Sequence, residues 1–107
     1  MNSYEHTFIA KQDLREDGFD QLIKKYSDII TKNSGNILKT ENWGLRNLLR
    51  NIKKNKKGFY FHIKFDGIGK TIIELEKNEN IDQSIIRFLT VKVKKHDLET
   101  DYFTKKD

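Results

Sequence analysis

Apolar and polar side chains alternate along residues 4–10, with Tyr4, His6, Phe8 and Ala10 on one side and Glu5, Thr7 and Ile9 on the other. That period of two predicts a β-strand. From Phe19 the period changes, because Phe19, Leu22, Ile23, Tyr26, Ile29 and Ile30 lie three and four apart and draw one apolar stripe on a helix. Asp13 or Asp17 is placed to cap its start and Gly35 to end it. Residues 36–48 read as a long, interrupted strand with a bulge or bend at Gly44, since a glycine inside a strand has no side chain to pack. Phe59, Phe61, Ile63 and Phe65 then alternate with Tyr60, His62, Lys64 and Asp66, a strand with one fully apolar face. Ile68, Ile72 and Leu75 mark a second helix ending within residues 78–80. Residues 84–94 give a last strand with Ile86 and Phe88 on one face and Leu89 and Val91 on the other.

The element order βαββαβ predicts an α+β fold of the ferredoxin-like kind: a four-stranded antiparallel sheet with two helices on one face, which buries every apolar stripe at once. The domain is expected to span residues 1–94. Residues 95–107 (KHDLETDYFTKKD) lack apolar periodicity and are expected to form a mobile tail. Strand parity leaves Ile9, Tyr60, Leu89 and Val91, with Arg87 among them, on the sheet face away from the helices. Apolar residues clustered on an open sheet suit a protein contact.

Composition narrows the chemistry. The 107 residues include no cysteine, which excludes disulfides, thiolate metal sites and thiol catalysis. No apolar run approaches the ~20 residues needed to cross a bilayer, and no signal-peptide pattern is present, so a cytoplasmic location is expected. The net charge of +5 favours an acidic partner such as nucleic acid. Seventeen of the 21 basic residues are lysine and Ala10 is the only alanine, a bias typical of AT-rich coding, so the position of the charge matters more than its total. The stretch 50–57 (RNIKKNKK) carries five positive charges and no acid, while the rest of the chain balances 16 basic against 16 acidic residues. In the predicted topology it is the turn between the second and third strands. Arg50, Lys53, Lys54, Lys56 and Lys57 are therefore candidate phosphate contacts.

Three motifs imitate other functions. Gly67-Ile68-Gly69-Lys70-Thr71 sits between a strand and a helix, but a phosphate loop needs a further glycine five positions before Gly69, where this chain has Lys64. Lys57-Gly58-Phe59-Tyr60-Phe61 looks like the start of an RNA-recognition-motif signature, whose aromatics stack bases on the open face. Here the parity is opposite: exposing Phe59 and Phe61 would also expose Ile63 and Phe65, so these residues belong to the core. No pair among His6, His62 and His96 has ligand spacing, none is expected to have an acid placed to orient it, and His6 is expected to be a partly buried, hydrogen-bonded side chain. No catalytic residue, metal site or cofactor is predicted, and no small-molecule substrate or membrane partner.

The chain resembles the bacterial small-subunit ribosomal protein six family. The residues that carry the resemblance are Tyr4-Glu5, the run Glu41-Asn42-Trp43-Gly44-Leu45-Arg46-Asn47-Leu48, Gly58-Phe59-Tyr60, Ile72-Ile73-Glu74-Leu75-Glu76, and the segment 82–92 from Asp82 through Arg87 to Lys92. The resemblance implies a ferredoxin-like structural protein that binds the central domain of small-subunit ribosomal RNA as a heterodimer with ribosomal protein eighteen. By position it implies RNA or partner contacts at Arg46, Arg87 and Lys92. After Leu48 the family commonly has Ala-Tyr-Pro-Ile, whereas this chain has Leu49-Arg50-Asn51-Ile52, losing a proline and gaining a charge where the hairpin begins. Trp43 fits either core packing or a partner-facing edge. A free-standing single-stranded RNA-binding domain of the same fold is the alternative reading.

Overall fold

A computed structural model describes residues 1–11, 16–52 and 55–96, and the side chains of all of these except 16, 17 and 49–52. The elements follow the predicted order: β1 (Asn2–Lys11), α1 (Glu16–Lys32), β2 (Asn36–Ile52), β3 (Asn55–Gly67), α2 (Gly69–Ile81) and β4 (Ile85–Val93). They form one four-stranded sheet in the order β2-β3-β1-β4, and every neighbouring pair is antiparallel.

The alternation in β1 and β3 sets the two faces. Phe8 opposes Phe61, and His6 opposes Ile63, so the apolar sets of the two central strands stand together beneath the helices. Phe8, Phe61, Ile63 and Phe65 are fully buried there with Leu22, Tyr26 and Ile30 of α1 and Leu75 of α2. The Phe8 ring lies 5.2 Å from Phe61 and 5.3 Å from Tyr26, within the range in which aromatic pairs attract beyond simple burial.

Helix α1 presents the predicted stripe. Asp13 lies outside the described residues, and Asp17 falls inside the helix rather than capping it. At the other end Ser34, not Gly35, takes the left-handed conformation, with φ 68°. Gly35 serves close approach instead: its amide donates to Ile30 O at 2.8 Å, and a Cβ there would stand 2.5 Å from Ile30 Cγ2. Helix α2 runs to Ile81, slightly past the expected end. Its fully buried positions are Thr71, Leu75 and Glu79, a face i, i+4, i+8 with one apolar member.

Two bulges place side chains that matter below. In β2 the register shifts between Asn42 and Gly44, and Gly44 has φ 82°, so the predicted bulge is present and needs glycine for its backbone conformation. In β4 the register with β1 shifts at Ile9/Ala10, with Arg87 opposite Ile9 and Ile85 opposite Ala10. Ile85 therefore joins the core with Phe88. The expected pairing of Ile86 with Phe88 on one face is incorrect: the bulge places Ile86 beside Arg87, and its Cδ1 lies over Gly58 next to Ile9.

Past β4, His96 Nε2 lies 3.2 Å from both Phe65 O and Asp66 Oδ1, so the first two residues assigned to the tail include one docked on the sheet. Residues 97–107 lie outside the described residues.

Candidate RNA and protein interface

The sheet face away from the helices is built of rows running across the strands. From the hairpin end, the first holds Arg46, Gly58 and Lys11. The next holds the Trp43–Gly44 bulge, Tyr60, Ile9 and Arg87; then come Glu41, His62, Thr7 and Leu89; then Lys39, Lys64, Glu5 and Val91. Cations gather at the hairpin end, linked polar groups fill the β2–β3 half, and apolar residues occupy β4.

The polar half closes on itself. His62 Nδ1 lies 2.8 Å from Thr7 Oγ1 and its Nε2 2.8 Å from Glu5 Oε1. A carboxylate only accepts, so Nε2–H donates to Glu5 and the Thr7 hydroxyl donates to Nδ1. Burial pulls the His62 pKa below the usual histidine range despite the raising effect of Glu5 and Glu41, in keeping with this neutral tautomer. Trp43 stacks on the imidazole at 4.7 Å with 13° between the planes. The Trp43 Nε1–H donates to Glu41 Oε1 at 3.0 Å, and Glu41 Oε2 lies 3.7 Å from Lys64 Nζ. Trp43 thus belongs to neither the helix-covered core nor a bare edge: the bulge lays it over the open face.

The β4 half is different. Leu89 is 62% and Val91 47% exposed, and Tyr60, on the same face but on β3 with β1 between, is half-buried. Ile9 is on this face as expected but is only 8% exposed, so it supports the surface rather than offering itself to a partner. The reason is Gly58, where a Cβ would stand 2.3 Å from Ile9 Cγ2: the missing side chain lets Ile9 sink into the sheet.

Of the candidate RNA contacts, Arg46 and Arg87 project from the open face near the hairpin end, and Lys56 and Lys57 are exposed at the start of β3. Arg46 Nε also donates to Trp43 O at 3.1 Å, which ties the guanidinium to the bulge. Lys92 does not join them. It opposes Tyr4 on the helix-bearing side, five residues along β4 from Arg87, roughly 16 Å away. The Arg50 side chain, Lys53 and Lys54 lie outside the described residues. Lys11 was missed in the sequence, although the parity of Thr7 and Ile9 carries it onto the open face beside Gly58.

The expectation that no acid accompanies the histidines is overturned. His6 lies 2.7 Å from Glu79, His62 2.8 Å from Glu5 and His96 3.2 Å from Asp66. These acids come from other elements, which sequence spacing does not reveal. Among the described residues no cluster of three or more His, Asp or Glu side chains would hold a metal ion, and no helix is long and apolar enough to cross a membrane.

Comparison with known proteins agrees with this architecture. The family model for ribosomal protein S6 matches residues 3–92. Small ribosomal subunit protein bS6 of Pelagibacter ubique is 58% identical over 107 residues, covering 100% of this chain and 88% of that protein. The bS6 protein of Bartonella bacilliformis is 40% identical over 99 residues, covering 92% of this chain and 73% of its own. The crystal structure of 30S ribosomal protein S6 from Thermotoga maritima superposes with a TM-score of 0.82 at 31% identity, covering 86% of this chain and 87% of that one. With its helix-covered core, its βαββαβ order and its sequence matched from β1 to β4, this chain belongs to the ribosomal protein S6 family of the small ribosomal subunit.

Proposed function

We propose that the protein is a structural constituent of the small ribosomal subunit that binds the central domain of its ribosomal RNA together with ribosomal protein eighteen. The observation that carries this reading is the division of the open face, with cations at its hairpin end and exposed apolar residues along β4. Arg46, Arg87, Lys56 and Lys57 take phosphates, with Lys11 beside them. Tyr60, Leu89 and Val91 meet the protein partner, and Trp43 borders that contact. The work is binding, not catalysis.

Two modest surfaces acting together bind far more tightly than either alone. The RNA affinity of the isolated protein is therefore expected to be weak and salt-sensitive, each phosphate contact adding about 0.7–0.9 to the slope of log affinity against log salt. Addition of ribosomal protein eighteen is expected to tighten it by roughly a hundredfold. Equal affinity with and without that partner overturns the reading.

A further inference from the structure

Helix α2 carries a buried polar side chain near each end, Thr71 and Glu79. Near its start the Thr71 hydroxyl donates to Asn33 O at 2.6 Å and accepts the Ile68 amide at 3.1 Å. Near its end the Glu79 side chain is fully buried, its Oε1 2.7 Å from Nε2 of an equally buried His6. The approach departs from the straight line of an ideal hydrogen bond, yet two such atoms this close repel unless a proton lies between them. On the other side of the ring Nδ1 lies 2.7 Å from Thr90 Oγ1, and that hydroxyl donates to Glu76 Oε2 at 3.1 Å. Since the Thr90 proton goes to Glu76, its oxygen accepts Nδ1–H. The contact between His6 Nε2 and Glu79 Oε1 then holds one shared proton.

We propose that His6 and Glu79 form a buried one-proton latch, which closes the C-terminal half of α2 onto β1 and opens as rising pH removes the shared proton. Without that proton the Nε2 lone pair faces a carboxylate inside the core, and neither group has water to turn to. The rings of Phe8 and Phe88, with centroids 6.0 and 6.2 Å from that of His6, help wall the site. Other groups acting on it are Glu76 of α2, Thr90 of β4, Asp82 after α2, and Tyr26 of α1. Burial, the largest influence, holds the Glu79 carboxyl above the usual range against the lowering effect of His6, and the charges of Glu76 and of Asp82 act in the same direction as burial, the latter offset in part by Lys25 at 3.0 Å. A group whose folded pKa is raised stabilises the fold below its unfolded value and loses that contribution as pH rises through the folded one, so the latch weakens toward alkali.

Amide hydrogen exchange by NMR tests this on the intact chain. The ratio of α2 exchange (residues 74–80) to α1 exchange (residues 22–30) cancels the base catalysis common to both. In the unsubstituted protein this ratio is expected to rise roughly tenfold between about pH 6 and pH 9. In Glu79→Gln, whose amide donates to Nε2 without titrating, it is expected to stay constant. Ring ¹⁵N shifts of His6 give a second readout that needs no variant, with Nδ1 remaining protonated while Nε2 changes in step with α2 exchange. An exchange ratio with the same pH profile in both proteins, or a His6 ring whose shifts do not move with α2 exchange, overturns the proposal.

Discussion

Adjacent residues of β3 show how differently the two sheet faces achieve burial. Phe61 and Ile63 are 0% exposed on the covered face, while His62 and Lys64 on the open face are each only 6% exposed. The covered face excludes water with α1 and α2 and with aromatic contacts such as Phe8 on Phe61. The open face has no such layer. It hides its polar groups by laying Trp43 over His62, by bonding His62 to Glu5 and Thr7, and by joining Glu41 to Trp43 and Lys64. Side chains on the first face hold the fold together. Leu89 and Val91, at the β4 edge of the second, stand outside the network and are exposed.

The largest way to test this contrast is to truncate the covered face. Phe61→Ala is expected to cost about 3–5 kcal/mol, from lost burial plus the cavity left among Phe8, Phe19 and Tyr26, read from the midpoint of urea unfolding. A free-standing RNA-binding domain that stacks bases on Phe61 would instead keep its stability and lose RNA affinity.

A smaller, pH-dependent effect is expected where α1 meets the α2–β4 turn. Burial alone would raise the Asp82 pKa, but the Tyr26 hydroxyl at 2.6 Å, the Ser84 amide at 2.9 Å and Lys25 at 3.0 Å hold it below the usual carboxylate range. A group whose folded pKa is depressed stabilises the fold above its unfolded value and loses that contribution as pH falls through the folded one. Part of the acid-side loss of stability below about pH 4 is therefore assigned to Asp82. In Asp82→Asn that loss is expected to shrink, as read from thermal melts over the same range. The same hydroxyl contact and burial push the Tyr26 phenol up from its ordinary value, so Tyr26 keeps its proton throughout.

The elements whose burial follows a strict period were legible in the sequence. The α1 stripe and the aromatic face of β3 lie where their spacing puts them, and Gly44 marks the β2 bulge because that backbone conformation demands glycine. The parity of β3 and β4 also brought Tyr60, Leu89 and Val91 to one face with Arg87. What stayed hidden depends on contacts between residues distant in sequence. Thr71 and Glu79 look like solvent positions until Asn33 and His6 are seen opposite them. Ile9 looks exposed until the bare Cα of Gly58 is seen to admit it, and the β4 bulge moves Ile86 across the sheet. Lys92 shares a linear motif with Arg87 but not a surface.

The smallest expected stability change accompanies a clear loss of binding, and it tests the central claim that the β4 edge of the open face serves recognition. Leu89 is 62% exposed, so Leu89→Glu is expected to alter stability by no more than about 0.5 kcal/mol. The decisive measurement is the affinity of this variant for ribosomal protein eighteen by isothermal titration calorimetry, alongside its unfolding midpoint. At least a tenfold loss of affinity, about 1.4 kcal/mol, with the fold intact is the predicted result; unchanged affinity in a fully folded variant would contradict it.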